Sequence, residues 1–322
     1  MQSISIKHLN RLSRRLFCTR PLRVLGIETS CDDTSAAIVS SDHRILSEVV
    51  HGQQELHEPM GGIVPTLASA GHSRNLPSVI TKALEDANLN AQDLDAIAVT
   101  RGPGLPPCLP VGLNAAKTLA AVLKKPLIGV HHMEAHALTA RLTCQQAPYP
   151  EFPFMTLLIS GGHTLLLTAN SLGNYNTLAT TLDDAVGEAF DKTARLLNLE
   201  WVKGRRGGPG AALEQAASLG DPTRFMEYLP QPMLQRNKSV LSFSFSGLKS
   251  KVAQLVKKDK IVDLTKPKDV NDMAAAFQMI CIRHLEQKIG LALEEEIVRQ
   301  KKPLTAFVVS GGVASNALFR TR

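Results

Sequence analysis

The sequence predicts an α/β protein of two lobes, and three observations carry that prediction. Short apolar runs alternate with stretches of helical spacing from residue 24 to the end. The chain has 322 residues, room for two domains of ordinary size. A Ser-Gly-Gly turn follows an apolar run twice, at Ser160 and at Ser310. Such a repeated turn suits a fold that grips one phosphorylated ligand from several strand ends. Apolar residues make up 44% and charged residues 20%, as in an ordinary globular protein. No run approaches the ~18 uninterrupted apolar residues of a membrane helix.

In the first lobe, residues 24–28 form a short apolar strand ending in an acid, and 36–39 and 45–50 follow as strands around a polar turn. Residues 75–87 have helical spacing. Residues 96–100 are strand-like and run into Arg101-Gly-Pro-Gly-Leu-Pro-Pro. A helix over 111–123 begins just after Pro110, and proline is favoured at a helix start. A strand over 126–130 and a helix over 131–141 complete the series. The stretch from Cys144 to Pro153 holds three prolines and reads as a linker, which assigns the lobes to 24–143 and 144–322. In the second lobe, 154–160 and 164–169 are strands around a Gly-Gly turn, and 184–198 is a helix. Residues 203–210 form a glycine-rich basic loop, and 246–257 and 271–299 are helices. Residues 304–310 are a strand, followed by Gly-Gly and a helix start.

The net charge is +7, but residues 1–23 hold six lysines and arginines and no acid, so the rest carries 7 − 6 = +1. Overall charge is therefore poor evidence for nucleic-acid binding, and any RNA-binding surface has to be a local patch. In 1–23, Ile6, Leu9, Leu12 and Leu16 fall near helical spacing with arginines between them. This resembles a mitochondrial presequence rather than a secretory signal; a basic tail is the alternative. The five cysteines form no C-x-x-C pair, and an odd number cannot all pair internally. A reducing compartment fits better than a disulfide framework.

Five constellations carry chemistry. In His131-His-Met-Glu-Ala-His136, His132 and His136 are at i and i+4, so on a helix both imidazoles share a face and can share a metal. A surface or capping pair is the alternative. Glu134 does not follow the first histidine directly, as the acid of a zinc protease would. In Ser160-Gly-Gly-His163, glycines after a strand let backbone N–H groups approach phosphate oxygens; a plain turn is the alternative. The repeat at Ser310 leads to Asn316, which could bond a ribose or base. Gly26-Ile-Glu-Thr-Ser-Cys-Asp-Asp-Thr34 is a seat for a metal or phosphate, or a polar hairpin. In Asp183-Asp-Ala-Val-Gly-Glu-Ala-Phe-Asp-Lys192, Asp184, Glu188 and Asp191/Lys192 lie along a helical stripe, ordinarily a solvated face. Asp191 could instead bind ribose hydroxyls. Lys203-Gly-Arg-Arg-Gly-Gly-Pro-Gly210 is a basic loop able to touch a phosphate, or plain surface.

Taken in order, these motifs resemble the TsaD family of tRNA adenosine threonylcarbamoyltransferases, in its mitochondrial branch. Gly61-Gly-Ile-Val-Pro65, Gly102-Pro-Gly-Leu105 and Ser242-Phe-Ser-Phe-Ser-Gly-Leu-Lys249 join them, and the resemblance runs from Val24 to Arg322. It implies an actin-like, sugar-kinase-like fold of two lobes with a nucleotide cleft. It implies transfer of threonylcarbamoyl from threonylcarbamoyl-AMP to the exocyclic amine of the adenosine 3′ to the anticodon, in tRNAs reading codons that begin with A. Carried over by motif, His132 and His136 are metal ligands. Leu158, Ile159, Ser160, Gly161, Gly162, Asp191, Gly208 and Asn316 are adenylate-binding positions, and Asp33 is the catalytic acid. One divalent ion per subunit is implied: zinc, iron or magnesium. The implied partners are mitochondrial tRNA, the synthase that supplies threonylcarbamoyl-AMP, and a second copy in a homodimer, within the mitochondrial matrix.

Three departures stand beside the resemblance. Asp33 replaces the family's usual glutamate, one methylene longer. The loop over 201–210 differs from the usual Y-P-G-G-P. The sequence stops before the T-D-N segment whose aspartate completes the family's metal site, so the second lobe is expected to be incomplete. A truncated, inactive chain that binds or regulates a partner is therefore the alternative function, with a metalloprotease a more distant rival.

Overall fold

The computed structural model describes residues 20–144, 149–202, 208–233, 240–299 and 303–322. The chain divides by contacts into two compact units, Met1–His132 and Met133–Arg322. Among the described residues, no helix is long and apolar enough to cross a membrane.

The first unit is built on a five-stranded sheet. Strands β1 (Arg23–Glu28), β2 (Thr34–Ser40) and β3 (Ile45–His51) form an antiparallel meander. A one-turn helix, Gln54–His57, leads to α1 (Pro65–Asp86). Strand β4 (Ala96–Gly102) then pairs parallel with β1, α2 (Leu109–Leu123) follows, and β5 (Leu127–His131) pairs parallel with β4. The order is β3-β2-β1-β4-β5. Strand β2 alternates buried and half-buried residues along its length, the period of a pleated strand covered on one face. Its buried Ala36 and Ile38 pack with Leu25, Ile27, Val99 and the helix residues Leu76, Val79 and Ala116.

α1 starts ten residues before the stretch at 75 that periodicity marked. Its buried face is Ala68, Gly71, His72, Leu76, Val79 and Ala83, the spacing of one helical stripe, and Pro77 lies within it. The small residues at the start of that stripe hide it from a hydrophobicity pattern.

Residues 1–19 of the expected leader lie outside the described residues. Arg20 to Arg23 belong to the first unit. The Arg20 guanidinium grips Asp95 through two bonds of 2.9 and 3.1 Å, and the Arg23 N–H donates to the same carboxylate at 2.8 Å.

The second unit opens at Met133, the second residue of α3 (His132–Thr143), and Met133 packs with Phe154, Leu158 and Val308. Strands β6 (Phe154–Ile159), β7 (Thr164–Ser171) and β8 (Asn174–Thr180) form a second antiparallel meander, and β9 (Phe307–Ser310) pairs parallel with β6. The order β8-β7-β6-β9 repeats the first unit's β3-β2-β1-β4. Every residue of β6 is buried, as befits a central strand covered on both faces.

Helices α4 (Val186–Leu196), α5 (Gly208–Ser218), α6 (Ser246–Lys257) and α7 (Pro267–Arg299) share a core with the Met155, Leu157 and Ile159 face of this sheet, with a one-turn helix Thr223–Met226 between α5 and α6. α7 is the spine, about 50 Å long at 1.5 Å per residue. Its buried Met273, Ala274, Phe277, Ile280, Cys281 and Leu285 meet Val186, Phe190 and Leu213 of the shorter helices. The edge of Phe277 meets Phe190 at 5.5 Å between centroids, a favoured aromatic geometry.

Candidate functional site

The parallel pairing of β6 with β9 sets Leu158 opposite Ser310. Both Ser-Gly-Gly turns therefore leave neighbouring strands at the same end of the sheet. In the first turn, the Ser160 hydroxyl accepts from the His163 N–H at 3.1 Å, and the Ser160 N–H donates to the His163 carbonyl at 2.8 Å. Gly161 and Gly162 are exposed, and a Cβ on either would meet nothing within 4 Å. Leu158 and Ile159 are buried in the core, at 2% and 0% exposure. They offer a ligand only backbone.

Helix α4 begins against this turn. The Val186 N–H donates to the Thr164 hydroxyl at 2.8 Å, and the Gly187 N–H to the Ser160 carbonyl at 3.2 Å. A Cβ on Gly187 would fall 2.5 Å from that carbonyl oxygen, so only glycine lets the helix start so close to the turn. The positive end of a helix dipole beside exposed glycine amides is a setting for a phosphate.

Asp191 lies further along α4. Its Oδ1 accepts from the Gly210 N–H at 2.8 Å, which satisfies an orphan donor in the first turn of α5. Gly208 is the first residue of α5, with φ of +54°, beneath the Trp201 ring. Residues 203–207 of the basic loop lie outside the described residues. Asn316 is 5% exposed and is the N-cap of α8 (Ala317–Thr321). Its Oδ1 accepts from the Leu318 and Phe319 N–H groups at 3.0 and 3.3 Å, and its Nδ2 donates to Gln278 Oε1 at 2.9 Å. It anchors the second glycine turn to α7.

The histidines fall as the i, i+4 spacing suggested, one turn apart on α3. In the first unit, His132 Nδ1 stands 3.3 Å from the Ser30 hydroxyl and 3.6 Å from Glu28 Oε2. Burial pushes the Glu28 carboxyl up, but hydrogen bonds from His132, Ser30 and Thr100 outweigh it and bring its pKa down to about 2. Glu28 is thus an anion at neutral pH. In the second unit, His136 Nδ1 lies 3.5 Å from the Ser310 hydroxyl. An imidazole oriented through Nδ1 by a carboxylate or hydroxyl is the usual support of a histidine metal ligand, so both residues fit that role. Among the described residues, no group of three or more histidine, cysteine or acidic side chains is arranged to hold a metal ion.

The sequence marked residues 26–34 as a seat for a metal or phosphate, but singled out neither Glu28 nor Ser30 as a site residue. The signal was there in an apolar strand that ends in an acid. Asp33 is exposed beyond the same strand, with Oδ1 against Gly52. Glu134 is committed elsewhere: its carboxylate accepts from the Tyr175 hydroxyl at 2.8 Å and the Gly173 N–H at 3.2 Å. Those bonds hold α3 to the β7–β8 turn. The stripe on α4 is an ion-pair network. Asp184 accepts from Lys192 on one oxygen and Lys249 on the other, both at 2.8 Å, and Glu188 meets Lys192 at 2.7 Å.

The sequence profile of the TsaD family, described as tRNA N6-adenosine threonylcarbamoyltransferase, matches residues 44–322. The chain is 45% identical over 310 residues to a probable mitochondrial tRNA N6-adenosine threonylcarbamoyltransferase of Arabidopsis thaliana, covering 94% of this chain and 62% of that protein. It is 46% identical over 306 residues to the tRNA N6-adenosine threonylcarbamoyltransferase of Brucella anthropi, covering 93% of this chain and 80% of that one. Component A of the (R)-2-hydroxyglutaryl-CoA dehydratase of Acidaminococcus fermentans superposes with a TM-score of 0.50 at 15% identity, over 93% of this chain and 86% of that one. That likeness is one of fold, and it places the protein in the actin-like, sugar-kinase-like α/β class. The chain belongs to the family of tRNA N6-adenosine threonylcarbamoyltransferases.

Proposed function

We propose that this protein transfers the threonylcarbamoyl group of threonylcarbamoyl-AMP to the exocyclic amine of the adenosine 3′ to the anticodon. Its substrates in this reading are mitochondrial tRNAs that read codons beginning with A. The observation that carries the reading is the pairing of Leu158 with Ser310, which sets two glycine turns side by side next to the start of α4.

In this reading, backbone amides of Gly161 and Gly162 receive the phosphate, with Ser160 closing the turn through its bonds to His163 and the α4 dipole behind them. Leu158 and Ile159 contribute backbone, and Asp191 and Gly208 the ribose end. Asn316 acts by fixing the second turn. His132 and His136 would hold one divalent ion: zinc, iron or magnesium. That ion supplies Lewis-acid stabilisation of charge on phosphate and carbamoyl oxygens. Glu28 and Ser30 hold the His132 ring in place. Asp33 is the proposed catalytic carboxylate. The reaction forms a C–N bond to the adenosine amine, breaks the bond to the AMP phosphate oxygen, and releases one proton from the amine.

The mitochondrial name of the Arabidopsis relative supports a mitochondrial location, and the basic, acid-free start of the chain supports the matrix. Within the proposed leader, residues 1–23, Arg20 and Arg23 bond to Asp95 of the first unit. A homodimer, and supply of the adenylate by its synthase, complete the proposal. The Glu134 bonds to Tyr175 and Gly173 speak against a protease, whose glutamate must reach a water.

Calorimetry on the purified chain with AMP, with and without divalent metal, tests the reading. Metal-dependent binding that weakens in His132→Ala is expected. A folded chain that binds no adenylate would sink the transferase reading in favour of an inactive binding partner.

A further inference from the structure

The turn that carries Asp33 is held by a histidine that the proposed reaction does not use. Between the end of β1 at Glu28 and the start of β2 at Thr34 the chain runs Thr29-Ser-Cys-Asp-Asp33. The loop that leads into α2 fixes the first half of this turn. The Thr29 hydroxyl donates to the Cys108 carbonyl at 3.1 Å, and the Leu105 N–H donates to the Ser30 carbonyl at 2.7 Å. His72 of α1, which is completely buried, fixes the second half. Its Nε2 lies 2.9 Å from the Cys31 carbonyl, and its Nδ1 lies 2.8 Å from the Thr34 hydroxyl. One imidazole therefore bonds the residue before Asp32 and the residue after Asp33.

The chemistry of the partners assigns the protons. A carbonyl oxygen only accepts, so Nε2 carries the ring hydrogen and Nδ1 presents its lone pair to the Thr34 hydroxyl. The Thr34 oxygen can still accept, and Gln53 Nε2 reaches it at 3.4 Å while donating to the Ala68 carbonyl at 3.2 Å. Gly71 makes room for that amide, because a Cβ there would fall 2.3 Å from Gln53 Oε1. Thr34 and Gln53 are as buried as the ring between them. Water does not compete for hydrogen bonds made at such depth, so the ring holds the turn rigidly. A core histidine ordinarily joins two elements of the fold. This one commits both nitrogens to a four-residue turn whose middle residues are carboxylates, half-buried Asp32 and exposed Asp33.

We propose that His72 is a positioning residue for the transfer reaction, clamping Cys31 and Thr34 so that the Asp33 carboxylate stands where the reaction needs it. The inference rests on the transferase reading, with Asp33 as its carboxylate. It adds the buried group that sets the position of that carboxylate.

The test follows transfer from threonylcarbamoyl-AMP to a transcribed tRNA by the full chain, with AMP affinity by calorimetry and the urea midpoint alongside. His72→Gln keeps a donor for the Cys31 carbonyl and loses the acceptor for Thr34. Thr34→Val has the same shape as threonine and breaks the same bond without touching the ring. Each should lower kcat by on the order of 10- to 100-fold, with KM for the adenylate and AMP affinity unchanged. Because the effect runs through Asp33, adding His72→Gln to Asp33→Asn should cost no further activity. Full kcat in both folded variants, beside an active wild type, overturns the positioning role and leaves the transferase reading standing. Further loss in the double variant also overturns it, since a residue that only supports the fold acts independently of Asp33. Failure of both variants to fold, or AMP affinity that falls in step with the urea midpoint, assigns His72 to stability alone and overturns it too. A wild type with no turnover overturns the transferase reading, and the positioning role falls with it.

Discussion

Gly311 passes over the carbonyl oxygen of Ile159 so closely that a Cβ on Gly311 would fall 2.2 Å from it. Gly311 also has a φ of +102°, a region that side chains with a Cβ rarely adopt. Clash and strain act together in Gly311→Ala. The substitution is expected to cost on the order of 3 kcal/mol and to weaken AMP binding, because the two glycine turns can no longer lie side by side. Urea denaturation and calorimetry check this. An unchanged midpoint would mean the turn relaxes freely.

Glu28 orients His132 through Nδ1, 3.6 Å away. Glu28→Ala should therefore reduce affinity for a divalent ion by roughly 10- to 100-fold, with little change in helix content. Competition against a metal-sensitive dye gives the number. Full metal affinity in Glu28→Ala would remove Glu28 from the site.

His284 lies on α7 between the edges of Phe243 and Phe245, and its Nε2 accepts from the Ser244 N–H at 3.3 Å. Burial, helped by the charge of Lys288 and opposed by Asp183, lowers its pKa from 6.5 to about 4. Between those values the unfolded chain binds a proton that the native chain does not. Stability should thus fall as pH drops from 6.5 towards 4, by on the order of 3 kcal/mol. His284→Phe should be less stable at pH 7, since Ser244 loses its acceptor, but flatter over that window. Urea midpoints at half-unit steps of pH decide it.

Asp183 works at the acid end. Burial raises its carboxyl, but bonds from Ser244, Phe245 and Ser246 outweigh burial and hold it below the usual carboxylate range. Its folded pKa is depressed, so its contribution is present above about pH 3.9 and is lost as pH falls below that value. Asp183→Asn should lower stability at neutral pH and blunt the acid transition. An identical acid profile would show that these bonds do not stabilise the fold.

Asp191 separates capping from ligand recognition. Asp191→Asn keeps an acceptor for the Gly210 N–H, whereas Asp191→Ala removes it and should cost about 1 kcal/mol. Both should weaken AMP binding if the carboxylate reads the ribose. Full AMP affinity in the asparagine variant would leave Asp191 as a cap alone.

The elements legible in the sequence are those whose pattern is local. Helix α6 falls at Ser246–Lys257 as its spacing indicated, and the strands flanking Ser40–Asp42 lie where alternation put them. The loop reading of 203–210 takes in the first three residues of α5, Gly-Pro-Gly, and no reading covers 211–218; the alanine-rich run there folds as the rest of the helix. Strand β8, Asn-Tyr-Asn-Thr-Leu-Ala-Thr, buries only Ala179. It has too little apolar alternation to announce itself, and pairing with β7 makes it a strand.

The same division runs through the candidate site. The sequence alone placed His132 and His136 on one helical face, because 3.6 residues per turn is a property of the local chain. It also marked two glycine turns, because a glycine's missing Cβ is written in its letter. It could not choose their neighbours. Glu28 reaches His132, and Asp183 reaches Ser244 and Ser246, only through packing. Leu158 lies opposite Ser310 only because β9 returns parallel to β6 across some 150 residues of intervening chain. Such pairings follow from the burial of whole faces and the register of a sheet, which no short window of sequence contains.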